Sequence, residues 1–223
     1  MARFNRWWIL KPAVFLACLW PVAWLIWAAF NGGFSANPVS DIQNTTGDWT
    51  LRFLMITLSV TPLRRITGWN SLIRFRRMTG LFAFFYNCLH FTTYIWLDQY
   101  FDLGEMFKDI VKRPFITVGF TGFVLMIPLA VTSTKKWIRR LGGKRWQWIH
   151  RLVYVSATAG VIHYLWLVKL DISRPLAYGG ILASLLGLRA WYNLRARVPV
   201  IAASPTPSLS GTRSQRSSGS TGH

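Results

Sequence analysis

Residues 145–167 read RWQWIHRLVYVSATAGVIHYLWL. The stretch is apolar, has the length of a bilayer-crossing helix, and holds two of the chain's four histidines, His150 and His163. A helix rises about 1.5 Å per residue, so roughly 20 residues cross a hydrocarbon core of about 30 Å. An imidazole inside that core must lose its charge or find a partner, which makes an intramembrane histidine a functional feature by default. Whether this stretch stands in a membrane therefore decides the fold and directs the search for function.

The remainder of the chain has the same texture. Of 223 residues, 52% are hydrophobic and 13 are Trp. The apolar residues fall in blocks rather than amphipathic stripes, at 9–30, 49–63, 78–97, 115–132, 146–168 and 175–192. Lipid offers no water to backbone groups, so such segments are helices or a closed barrel, and the lack of strict alternation leaves helices. The expected fold is an all-α integral membrane protein, a six-transmembrane-helix bundle. The count falls to five if 49–63 only enters the membrane.

A net charge of +19 suggests nucleic acid until its distribution is examined. With a cytoplasmic N-terminus, 20 of the 26 basic residues fall inside; Arg52, Lys108, Lys112, Arg113, Lys169 and Arg174 fall outside, with all seven acidic residues. Retained positive charge orients short loops, so both termini are expected in the cytoplasm and the basic excess is topology, with no nucleic-acid partner. The run 3–30 has the basic start of a signal peptide, but its apolar part is longer than an h-region and further spans follow, so it reads as a retained helix. Cys18 and Cys88 lie in different spans without metal-site spacing and read as small buried residues. Residues 1–198 form the transmembrane domain, while 199–223, rich in Ser, Pro and Gly, read as a disordered cytoplasmic tail. Pro21 and Pro128 sit inside spans and should kink them. Gly80, Gly119, Gly122, Gly160, Gly179 and Gly180 allow close helix packing and equally make room for a flat cofactor.

No Walker loop, GxGxxG, HExxH or GxSxG motif occurs. No acidic residue stands in a membrane core, which leaves a carboxylate-driven transporter little to work with. The chemistry rests on histidine, arginine and aromatics. His90 in the third span and His163 in the fifth lie at matching depth on parallel helices. Two neutral imidazoles at one depth can hold an iron from opposite sides, as axial ligands of a haem b. Zinc would demand further ligands that no Cys, Asp or Glu is placed to supply. The plain alternative is that each histidine bridges two helices by a hydrogen bond. His150 lies 13 residues before His163, about 20 Å nearer the cytoplasm and turned away on a straight helix. Its counterpart on the third span is Arg76, whose guanidinium suits a propionate or a flavin phosphate, or serves simply as a topological anchor. On the first of these readings His150 and Arg76 mark an inner site for a second haem or a flavin. Arg52 reads as a propionate partner or a snorkelling side chain.

At these residues the sequence resembles the ferric-reductase-like transmembrane superfamily, and within it the haem-binding membrane subunits of bacterial methionine-sulfoxide reductase systems. The matching stretches are TGDWTLRFLMITLSVTPLRRITG (46–68), RRMTGL (76–81) with His90, RPFITVGFTGF (113–123), PLAVTS (128–133) and KRWQWIHRLVY (144–154) with His163. The resemblance implies a multi-pass conduit in the bacterial inner membrane, carrying haem b and, in this family, FMN. It implies delivery of electrons to a periplasmic molybdopterin-containing methionine-sulfoxide reductase subunit that repairs oxidised proteins, so substrate chemistry would belong to that partner, docked on the loops 31–48 and 98–113. His90, His150 and His163 match the family's histidines, while Arg76 stands where a fourth would complete a second pair. No nucleotide-binding domain follows the sixth span, so the electron donor would be a separate cytoplasmic flavin reductase or quinol. The rival readings are a stand-alone transmembrane quinol or ferric reductase, and a haem-free transporter or scaffold.

Overall fold

The computed structural model describes residues 7–195. The expected tail at 199–223 lies outside the described residues. Among the described residues eight helices follow one another: α1 (Trp7–Asn31), α2 (Pro38–Thr67), α3 (Ile73–Thr93), α4 (Leu103–Lys112), α5 (Pro114–Val131), α6 (Lys135–Ile149), α7 (Leu152–Leu167) and α8 (Ser173–Arg195). A short 3-10 turn, Asn70–Leu72, precedes α3, and a π-helical turn, Tyr94–Asp98, ends it. There is no strand among the described residues.

Six of these helices, α1, α2, α3, α5, α7 and α8, overlie the six apolar blocks. Residues 8–31 and 114–131 are by themselves long and apolar enough to cross a membrane. The α7 helix has 16 residues, short of the roughly 20 a span takes, and α2, α3 and α8 mix threonines or arginines into their apolar runs.

Three expectations need correction. The second helix does not begin near residue 49 but at Pro38: Asn37 caps it by accepting from the Ser40 N–H (3.1 Å), Pro38 fills the first turn, and Asp41 complements the positive helix end. Its polar first turns are invisible to a hydropathy reading. The connection 98–113 contains α4, capped by Asp102, whose side chain accepts from the Glu105 N–H (3.0 Å). Third, 146–168 is two helices that break at His150–Arg151. The break is fastened to the end of α5, where the Trp146 indole donates to the Thr132 carbonyl (3.0 Å) and His150 meets the Thr132 hydroxyl (3.1 Å). Upstream, Gly142 turns the chain of α6 with φ 73°, a conformation that costs glycine nothing.

The two most intimate helix pairs are α2 with α3 and α5 with α7, with α8 lying across α2 and α7 and α1 resting on α3 and α2. Threonine is tolerated in this core because its hydroxyl turns back on its own helix: Thr50 donates to the Thr46 carbonyl, Thr57 to Phe53 and Thr93 to Leu89. The Thr57 hydroxyl also lies 2.9 Å from that of Thr79, joining α2 to α3. Tyr86, fully buried, donates to the Cys18 carbonyl (2.8 Å) and accepts from the Val22 N–H (3.3 Å), so it grips α1 beside the ladder gap that Pro21 leaves.

The two ends of the bundle differ in charge. The ion pairs Arg52–Asp48, Arg174–Asp48, Arg113–Asp109 and Lys108–Glu105 gather at one end. At the other, Arg65 lies over Tyr192, Arg189 over Tyr154 and Arg195 over Trp191.

Candidate cofactor site

Helices α3 and α7 bring His90 and His163 together, with ring centroids 6.2 Å apart and planes crossed at 77°. The neighbouring helices orient each ring. His90 Nδ1 donates to the Gln43 carbonyl of α2 (3.0 Å), and the Thr46 hydroxyl at 3.4 Å, whose own proton goes to Ile42, is a second acceptor. His163 Nδ1 donates to the Phe115 carbonyl of α5 (2.7 Å). A carbonyl only accepts, so Nδ1 carries the proton in both rings and Nε2 keeps its lone pair. Metal-binding histidines are prepared in this way, by a backbone acceptor on the far nitrogen.

Spacing and space agree with that preparation. Two imidazoles bound to one metal at about 2.0–2.1 Å each, with ring centres roughly an ångström further back, stand about 6 Å apart. Each ring lies flat against a glycine. A methyl group at Gly47 would meet His90 Cε1 at 3.2 Å, and one at Gly119 would meet His163 Nδ1 at 2.7 Å. Between α2, α3, α5 and α7 lies a cavity of about 260 Å³, bordered by both histidines and walled by Leu51, Leu54, Phe91, Phe123 and Met126. Gln43 and Tyr94 also border it, and the Gln43 side-chain amide nitrogen and the Tyr94 hydroxyl are shut off from solvent and meet no protein partner among the described residues. The residues therefore fit a planar, largely apolar group carrying a metal. No group of three or more His, Cys, Asp or Glu converges among the described residues.

His150 is not part of this cavity. Its ring stacks on Trp146 at 4.0 Å and its Nε2 meets the Thr132 hydroxyl. That hydroxyl spends its proton on the Pro128 carbonyl (2.6 Å), so His150 Nε2 is the donor and its tautomer is opposite to that of the paired histidines. Burial, and then the charge of Arg76, hold this imidazole below its usual range. Burial also lowers the Arg76 guanidinium; Tyr154 opposes the shift, while Arg189 and Arg64 add to it. His150 and Arg76 thus share a neighbourhood with Arg64 and Arg189 that is rich in positive charge. Arg52, expected to pair with a propionate or to snorkel, donates to the Tyr178 hydroxyl (3.1 Å), pairs with Asp48 and lies 4.7 Å over Trp49.

Sequence reasoning found the histidine pair and missed what holds it. Gln43 fell in a segment read as a loop, and a carbonyl acceptor leaves no trace in residue identity. Tyr94 carried a usable signal, since it follows His90 by four residues and shares its helix face. Gly119 was visible, but packing and cofactor space could not be told apart there.

A membrane-helix bundle with a paired-histidine cavity defines a class. The ferric reductase like transmembrane component family matches residues 46–161, and the chain belongs to that family. Within it, the high-identity relatives are protein-methionine-sulfoxide reductase heme-binding subunits MsrQ. The chain is 54% identical to that of Herminiimonas arsenicoxydans, over 85% of this chain and 88% of the relative. It is 51% identical to that of Ralstonia nicotianae, over 88% and 92%, and 51% identical to that of Rhodospirillum rubrum, over 84% and 90%. No solved structure matches the chain.

Proposed function

We propose that the chain is the haem b subunit of a protein-methionine-sulfoxide reductase system, a multi-pass protein of the bacterial inner membrane that passes electrons outwards to a periplasmic molybdopterin partner, MsrP. The observation that carries the reading is the His90–His163 pair, 6.2 Å apart with both Nδ1 atoms committed to backbone carbonyls. The names of its relatives support the assignment of the system.

His90 and His163 would hold the iron through Nε2, and haem b would supply a one-electron carrier that takes up and releases charge without bond cleavage. The chain's own work is positional. Gln43 and Phe115 fix the two rings, Gly47 and Gly119 let them lie against α2 and α5, and the apolar walls keep water from the centre. In the proposed topology α1, α2, α3, α5, α7 and α8 cross the membrane, with both termini cytoplasmic and span three beginning beyond Arg76. The break at His150–Arg151 then leaves span five to α7 alone. Residues 31–48 and the α4 region face the periplasm and the partner. Outward electron movement follows the membrane potential, about 2.3 kcal/mol per 100 mV. His150 and Arg76 stand on the cytoplasmic side, where the positive neighbourhood suits an FMN phosphate or the propionates of a second haem, fed by a cytoplasmic flavin reductase or quinol.

One visible spectrum of the detergent-purified chain tests the reading. A Soret band with α and β bands that sharpen on dithionite is expected, and a colourless, folded protein refutes it. Transfer of electrons from the reduced chain to the purified molybdenum partner is expected next; its failure would favour a stand-alone quinol or ferric reductase.

A further inference from the structure

We propose that Gln43 and Tyr94 form a carboxylate-binding subsite at the α4 end of the cavity, which receives an anionic edge group of the cofactor held by His90 and His163. The inference rests on the haem reading and extends it, because haem b carries two carboxylates at one edge of an otherwise apolar disc.

Both side chains end in buried donors without an acceptor. The Gln43 amide nitrogen and the Tyr94 hydroxyl are closed to solvent and meet no partner among the described residues, yet both residues border the same cavity. A buried donor left unmet is costly, so a fold retains two beside one cavity when something there accepts from them. Each is tied to a histidine. The Gln43 carbonyl holds His90 Nδ1, so one residue supplies both the ligand's orienting acceptor and the free amide. Tyr94 follows His90 by four residues and opens the π-helical turn Tyr94–Asp98. Such turns are rare and are frequent at functional sites. After this turn Tyr100 and Phe101 both take left-handed backbone conformations (φ 48° and 62°), which carry the chain directly into α4.

Most of the charges nearby are already paired. Arg113 borders this end of the cavity, pairing through Nε with Asp109 (3.3 Å). Asp98, at the rim, is exposed and is held by the Gln99 amide (3.4 Å). Asp48 is paired with Arg52 and Arg174. The inner donors are both neutral, so they add hydrogen bonds without burying a further charge.

The test separates the carboxylate from the metal. Apoprotein of the full chain is reconstituted with haem b and with haem b dimethyl ester, whose carboxylates are masked, and dissociation to an acceptor apoprotein is timed. The wild type should retain haem b at least about tenfold longer than the ester, as expected for hydrogen bonds to a charged group. Tyr94→Phe and Gln43→Met, each close in shape, should narrow that preference, and the double variant should bring it to within about twofold by the same reasoning. Thermal unfolding of the apo variants should be unchanged or improved, because each loses a donor without a partner. A preference that survives the double substitution overturns the proposal and leaves the two donors to ordered water. A wild-type chain that binds the ester as well as haem b also overturns it, while one that binds neither shows instead that the haem reading has failed.

Discussion

Replacing Gly119 with alanine plants a methyl group 2.7 Å from His163 Nδ1, 2.9 Å from its Cγ and 3.0 Å from its Cε1. Carbon contacts settle at about 3.5–4.0 Å, so something must yield by roughly an ångström. The helices are poorly placed to yield. One turn along, a methyl at Gly122 would already touch Ala159 at 3.4 Å, and Ser156 donates to the Gly122 carbonyl at 2.8 Å, which pins α5 on α7. The imidazole must therefore swing, and it leaves its 2.7 Å bond to Phe115. Metal–ligand distances tolerate about 0.2 Å, well below the displacement required. An overpacking cost of about 1–3 kcal/mol corresponds to a roughly 5- to 150-fold weaker hold on the cofactor. Haem content per protein and the low-spin spectrum of Gly119→Ala should both fall, with a smaller loss for Gly47→Ala, where the contact is 3.2 Å. Wild-type haem content and spectrum in Gly119→Ala would show that His163 does not stand against α5 in the loaded protein.

His90→Ala and His163→Ala should each abolish most of the low-spin haem signal, whereas His150→Ala should keep it and slow its reduction from the cytoplasmic side; the reverse pattern in haem content and stopped-flow reduction would exchange the ligand assignments. Tyr86→Phe removes the hydroxyl that joins α3 to the Cys18 carbonyl and Val22 N–H of α1, and should destabilise the folded protein by about 1–3 kcal/mol in a detergent thermal-unfolding assay. Reporter fusions after Arg195 and near Asp102 should report opposite sides of the membrane; the same side for both would remove the six-span topology.

Block hydropathy and charge asymmetry were enough to read a helical bundle, because lipid forces backbone groups into helices and loops keep their charges. Position along the apolar blocks also placed His90 and His163 at one depth, since rise per residue is a local property. The Trp146–Leu167 region was misjudged as one helix because its break depends on Thr132, a residue some 14 to 18 positions earlier that only packing brings beside Trp146 and His150. The polar opening of α2 was missed for a different reason: Asn37 and Pro38 are a local start signal that hydropathy averages away, and only the burial of Thr46 and Thr50 is a tertiary outcome. Ligand readiness itself was a tertiary decision. Residue identity supplies an imidazole with two equivalent prospects, and the carbonyls of Gln43 and Phe115, set by how α2 meets α3 and α5 meets α7, decide which nitrogen keeps its lone pair and where it points.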